Sequence, residues 1–265
     1  MSFELERTPA ATTVNVFGNH RFEIPSIADA DLGSWPITLL SGAGTLVGEA
    51  FAKLKDIAND RTLSALGIEQ RADPVKAEAL GRIAAAAMQL QSFDDAISAR
   101  ETSLYALPVL DPTAAAVAIE DREIRDWWRS METKQRNTTL QSIEANPEQH
   151  ERLMIALLRA PAPLAILDHE TKFVMNAWKE AKRSNSPELA AQIDIDRALV
   201  DTARRGLSHL AGISKQVTGW QADKVLKTIV SSQFEPARTG YQIFGFNETQ
   251  AVRARALNEF ESRKN

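Results

Sequence analysis

The sequence has no cysteine, only two tyrosines, and an aromatic share of 6%. Lack of cysteine removes disulfides, thiolate nucleophiles and Cys-ligated metals together, although it does not fix a compartment. Long apolar runs are missing too. The longest uncharged stretch near the start, Leu32 to Gly48, is interrupted by Gly33, Pro36, Gly42 and Gly44. It falls short of the ~20 apolar residues of a membrane span. The opening MSFELERTPA has no basic segment ahead of an apolar core, so no signal peptide is expected. Among the four histidines, His20, His150, His169 and His209, none stands four residues from another, and neither H-E-x-x-H nor G-x-S-x-G occurs. The close carboxylates, Asp94-Asp95 and Asp194/Asp196, diverge by about 100° per residue on a helix and are poorly placed to share a proton. These gaps leave no catalytic constellation, cofactor site or metal site to name.

Hydrophobic residues make up 44% and charged residues 25% of 265, the composition of a globular chain. At this length one large domain or two small ones would bury roughly 70–75% of the unfolded surface. Net charge is −5 over residues 1–110, −2 over 111–160 and +3 over 161–265. That last third is only mildly basic beside a dedicated nucleic-acid binder.

The pattern predicts a mainly α fold: a multi-helix bundle with a long antiparallel helix hairpin and a short N-terminal β-hairpin arm. Val14 and Val16, then Phe22 and Ile24, alternate around Gly18-Asn19, a hairpin signal. A lone hairpin is marginal in water and must lie on a core or on a neighbouring subunit. Helical periodicity begins near Gly42 and continues to about Arg61, followed by a loop over residues 64–72. Asp73-Pro74, Asp111-Pro112, Asn146-Pro147 and Ser186-Pro187 each place a capping side chain before proline, so each is read as a helix start. From Pro74 a helix to about Ala106 would be roughly 50 Å long at 1.5 Å per residue. Its stripe includes Ile83, Leu90, Ile97 and Leu104, and a short turn should send the next helix back antiparallel.

That next helix would bury Val117, Ile124, Trp128 and Met131. Asp121/Arg125, Arg122/Asp126 and Glu132/Arg136 sit four apart with opposite signs. No apolar residue separates Glu132 from Thr139, which predicts a break over residues 130–137. Further helices are expected from Pro147, Asp168, Pro187, Trp220 and Glu248, with an extended patch over residues 241–246. The segments divide as an N-terminal arm (1–36), a long-helix hairpin region (37–145) and a C-terminal helical region (146–265). No internal repeat joins them.

The succession Glu123-Ile-Arg-Asp-Trp-Trp, Leu153-Met-Ile-Ala-Leu-Leu-Arg-Ala-Pro, Leu164-Ala-Ile-Leu-Asp-His-Glu and Trp178 resembles small helical uncharacterised proteins encoded among tailed-bacteriophage structural genes. The resemblance spans residues 119–183 and rests on caps and leucines. It brings no catalytic residues and implies a virion-associated or assembly role, with other virion proteins as partners.

Three surfaces remain as candidates. Trp127 and Trp128 point about 100° apart on a helix, so one belongs to the core and the other, beside Arg125, is a candidate partner contact. Val14, Val16 and Phe22 of the arm are candidate contacts with a second copy. Arg204, Arg205, Lys224 and Lys227 are candidate phosphate contacts, against the plainer reading of exposed helix charge. A glycine turn at Gly42-Ala-Gly-Thr-Leu-Val-Gly48, after Ile37-Thr-Leu-Leu, has the local outline of a phosphate cradle. Its G-x-G-x-x-x-G spacing is one longer than the dinucleotide fingerprint, no second strand or Lys-Ser/Thr follows, and small residues easing helix packing are the favoured explanation. The expected function is therefore a non-enzymatic structural or assembly protein working as an oligomer in a virion. The alternatives are a nucleic-acid-associated helical protein and a nucleotide enzyme at Gly42–Gly48.

Overall fold

The computed structural model describes residues 3–111, 113–161, 166–231 and 235–262. Pro112, Leu164 and Ala165, used above as start and resemblance positions, lie outside them. The chain is mainly α with a small antiparallel sheet at its N-terminus. It divides into two compact units, residues 1–96 with 195–265, and residues 97–194. These units follow a different division from 1–36, 37–145 and 146–265, because the expected arm is built into the first unit together with the C-terminal helices. The two unit boundaries fall inside helices.

In the first unit, strands β1 (Glu4–Arg7), β2 (Ala11–Phe17) and β3 (His20–Pro25) pair in sequence order. Val14 stands opposite Leu5 on one side and Phe22 on the other. Gly18, at φ 59°, makes the tight turn after β2 in the left-handed region that glycine enters without steric cost. The alternation predicted a two-stranded hairpin; β1 adds a third strand, and its short polar sequence carries no alternating signal. Val14, Val16 and Ile24 are buried and Phe22 nearly so, with β2 packed on the following helix. Phe22 stacks on His209 at 4.8 Å between ring centroids. The sheet thus finds its cover inside its own chain, which corrects the reading of Val14, Val16 and Phe22 as contacts with a second copy.

Helix α1 (Trp35–Asn59) starts seven residues ahead of the periodicity and buries Ile37, Leu40, Ala43, Val47, Ala50 and Phe51. Gly42–Gly48 therefore lies within a helix, where backbone N–H groups are committed to carbonyls four residues back. There is no turn and no preceding strand, so the phosphate-cradle expectation is overturned. Gly44 instead makes room: a Cβ there would come within 2.0 Å of the Phe3 ring.

Helix α2 (Ala65–Leu104) begins nine residues before Pro74 and carries that proline inside it, on an exposed side. Its start is capped by Ser64, whose Oγ accepts the N–H of Gly67 at 3.2 Å. Asp73 binds Lys224 Nζ at 2.8 Å, an ion pair rather than a cap. Leu80, Ile83, Leu90 and Ile97 form the buried stripe that the spacing predicts. The long antiparallel hairpin is made by α1 and α2. Trp35 meets Phe93 at 5.2 Å between rings, while Ala50 and Ala79 face a common cleft at the far end.

Helix α3 (Ala115–Ser130) and helix α4 (Thr133–Ala145) break where expected. A 3-10 turn, Pro147–His150, leads into α5 (Glu151–Leu158), and α6 follows at Asp168–Asn185. Asn146 ends α4 without a side-chain cap onto the next turn. Within this second unit α3 packs on α5, where the sequence predicted a partner in the preceding helix. Helix α7 (Pro187–Thr218) does begin at its proline. It runs through the boundary, and in the first unit its Arg197 and Arg204 pair with Asp94 of α2 at 3.4 and 2.7 Å. Helices α8 (Ala222–Val230) and α9 (Glu248–Ser262) pack on each other. Between them residues expected to be extended form a 3-10 helix, Glu235–Phe244. Gly240 there approaches α2 so closely that a Cβ would lie 2.2 Å from the Ala84 carbonyl oxygen. No helix among the described residues is long and apolar enough to cross a membrane.

Candidate functional site

The elbow between α3 and α4 carries the tryptophan pair, and its stability comes from the core of the second unit. Trp128 is 0% exposed and packs with Leu140, Ile143, Met154, Val174 and Trp178. Its Nε1–H donates to Glu170 Oε2 at 3.2 Å. That carboxylate is itself buried. It also accepts the Leu167 N–H at 3.3 Å, and its other oxygen faces Arg136 at 3.5 Å in an ion pair outside hydrogen-bond geometry. A buried charge needs this kind of company, since an unpaired one costs several kcal/mol. Trp178 Nε1–H donates to the Tyr105 carbonyl at 2.9 Å. Both core indoles thus have their single donor satisfied.

Arginines fasten α3 to α5. Asp121, only 2% exposed, is bound by Arg152 and lies 3.4 Å from Arg159. Arg152 also donates to Glu120 Oε2 through Nη2 and Nε at 2.9 and 3.0 Å. The Glu120 hydrogen bonds, with those to Asp121, hold the Arg152 guanidinium above its ordinary value and so permanently charged. Arg125 donates to the Ala156 carbonyl at 3.2 Å. Of the three expected i,i+4 pairs only Arg122–Asp126 forms, at 3.7 Å. Asp121 and Arg136 instead use their charge on other helices, where the pair is less exposed to solvent screening.

The elbow itself is a sharp stop and restart. Met131 leaves the helical region and Glu132 begins α4 as its N-cap. The Glu132 N–H donates to Gln135 Oε1 at 3.0 Å, half of a capping box. Ser130 Oγ–H donates to the Trp127 carbonyl at 2.7 Å, closing the last turn of α3. Trp127 stands on the opposite side from the core, 49% exposed. It lines an open groove of about 550 Å³ together with Ser130, Met131, Lys134, Gln135, Thr138 and Thr139. Ile119, two turns earlier on the same stripe, is exposed as well.

Trp127 and Arg125 thus share one helix but face different ways. Arg125 turns inward to α5 and is a fastening rather than a contact residue. The phosphate candidates fall in the first unit. Arg204 is held by Asp94 and by Asp201 at 2.9 Å, Lys224 by Asp73, and Lys227 by Glu261 at 2.7 Å. Lys224 also lies over the Trp220 ring at 4.2 Å. Arg205 is exposed. Three of these four cations therefore spend their charge on carboxylates of their own chain. The histidines do not converge: His20 edges onto Phe51, His209 stacks on Phe22 and His150 shares a hydrogen with Ser142 Oγ. Among the described residues no group of three His, Cys, Asp or Glu could hold a metal ion.

Sequence reasoning identified the tryptophan pair and the break after it. It missed the groove, whose α4 wall is made of Lys, Gln and Thr. These residues carry no signal until the elbow folds them against an indole. Compared with protein-family models, with curated proteins and with solved structures, this chain matches none.

Proposed function

We propose that this chain is a structural or assembly protein of a tailed-phage particle, working without a catalytic step through protein contacts and as a homo-oligomer. The observation that carries the reading is Trp127: a half-exposed indole beside an open groove, on an elbow anchored by the buried Trp128. Tryptophan is among the residues that concentrate binding energy at interfaces, and a side chain fixed before binding loses less entropy on docking. The resemblance of residues 119–183 to proteins encoded among phage structural genes directs the reading to a virion, in which other virion proteins are the further partners.

A nucleic-acid role through Arg204, Arg205, Lys224 and Lys227 receives less support, because three of the four are already paired. Quantitative mass spectrometry of purified particles from the phage that encodes the chain tests the reading. A fixed number of copies per particle is the expected result. Its absence from particles and from assembly intermediates would refute the proposal.

A further inference from the structure

We propose that the occupant of the Trp127 groove is a second copy of this chain, docked about a two-fold axis at the α3–α4 elbow. The proposal rests on the protein-contact reading above and names the partner. Each Trp127 would enter the groove of the other copy, with each Glu123 facing the other's Lys134. A two-fold interface must be its own complement, since one surface patch meets its own image. This elbow meets that demand in shape, because the half-exposed indole forms one wall of the groove, so each copy offers the other both an indole and a groove.

It meets the demand in charge as well. Glu123 and Trp127 are one helical turn apart on the exposed stripe of α3, and Lys134 forms part of the α4 wall beyond the indole. Along the elbow the order is acid, tryptophan, base. Rotating that order by 180° about an axis between the indole and the α4 wall lays each indole in the other's groove and base over acid at both ends. Nearby charges are already occupied: Asp126 takes Arg129 at 3.0 Å and Arg122 at 3.7 Å. Among the described residues Glu123 and Lys134 make no ion pair within the chain. Both are exposed, so pairing them across an interface displaces no intrachain contact. Complementary charge of this kind fixes register and disfavours wrong partners.

Sedimentation equilibrium of the full chain tests the pairing. Wild type is expected to dimerise, and Trp127→Ala to weaken the dimer about tenfold or more. Glu123→Lys and Lys134→Glu should each weaken it, since each places like charges opposite one another twice. Mixed in equal amounts, those two variants should associate again, because in the mixed dimer both facing pairs are opposite in sign. All three substitutions are on exposed positions; far-UV circular dichroism melts of Glu123→Lys and Lys134→Glu should match wild type, and that of Trp127→Ala should stay cooperative with a midpoint a few degrees lower. Association that ignores Trp127→Ala, or variants that fail to recover on mixing, would overturn the two-fold pairing. A wild-type chain that stays monomeric yet occurs in particles overturns self-pairing and the homo-oligomer with it, and leaves the role in the particle standing. A monomeric chain absent from particles ends both.

Discussion

Adjacent tryptophans on one helix should respond to truncation in opposite ways. Trp128→Ala removes an indole that is 0% exposed from a core of rigid neighbours. Such a deletion costs about 3–5 kcal/mol for transfer and cavity together. It also takes a donor from the buried Glu170 carboxylate, where a hydrogen bond to a charged group is worth about 1.5–3 kcal/mol. Glu170 keeps the Leu167 N–H and Arg136, so the second loss is partly absorbed and the sum is about 5 kcal/mol. Trp127→Ala loses only about 100 Å² of covered apolar surface, about 2.5 kcal/mol at 25 cal/mol/Å², brought to about 2 kcal/mol by the better helix propensity of alanine. The gap between the two variants should therefore be about 3 kcal/mol. Urea unfolding followed by far-UV circular dichroism measures it, provided that the slopes of the transitions agree. Equal costs, or a larger cost for Trp127→Ala, would refute the assignment of the two faces and with it the exposed elbow.

Asp121→Ala strips Arg152 and Arg159 of their shared carboxylate and should cost about 3 kcal/mol, visible as earlier urea unfolding with loss of protection in α5. Gly240→Ala has no room against the Ala84 carbonyl and should destabilise by about 3 kcal/mol in the same assay, whereas alanine at Gly212, where a Cβ meets nothing within 4 Å, should be tolerated. Asp60 and Asp111 each accept the hydroxyl and then the N–H of the threonine two residues on, which lowers both carboxyl groups below the ordinary 3.8. A depressed folded-state value stabilises above the ordinary value and is lost as pH falls through the folded one. Protection of the Thr62 and Thr113 amides should accordingly fall towards none, exchange approaching the intrinsic rate, as acidification passes below 3.8, and Asp→Asn at either site should remove that pH dependence.

What could be read before folding was what depends on spacing alone. The Ile83, Leu90 and Ile97 stripe, the break between α3 and α4, and the helix opening at Pro187 all follow from periodicity or proline chemistry. Reading failed where one local signal had two meanings. Asp73-Pro74 has the form of a cap, yet α2 runs through it because Ser64 supplies an earlier cap and the proline ring sits on an exposed side. Gly42–Gly48 has the form of a turn, yet its glycines are helical and Gly44 admits the Phe3 ring. The arm alternates like a free hairpin, and only the folded chain shows α1 and His209 covering it. At the candidate site the indole was legible and its groove was not, because a wall of Lys, Gln and Thr becomes a surface only after the elbow brings two helices together.

The central claim is that the α3–α4 elbow is a contact surface between two copies of the chain, organised around Trp127. The most direct measurement is sedimentation velocity of wild type and Trp127→Ala side by side over a wide concentration range, with melts recorded on the same samples. The account predicts association of wild type that the variant loses while remaining folded. Wild type sedimenting as a monomer throughout, or a variant that associates as tightly as wild type, would contradict it.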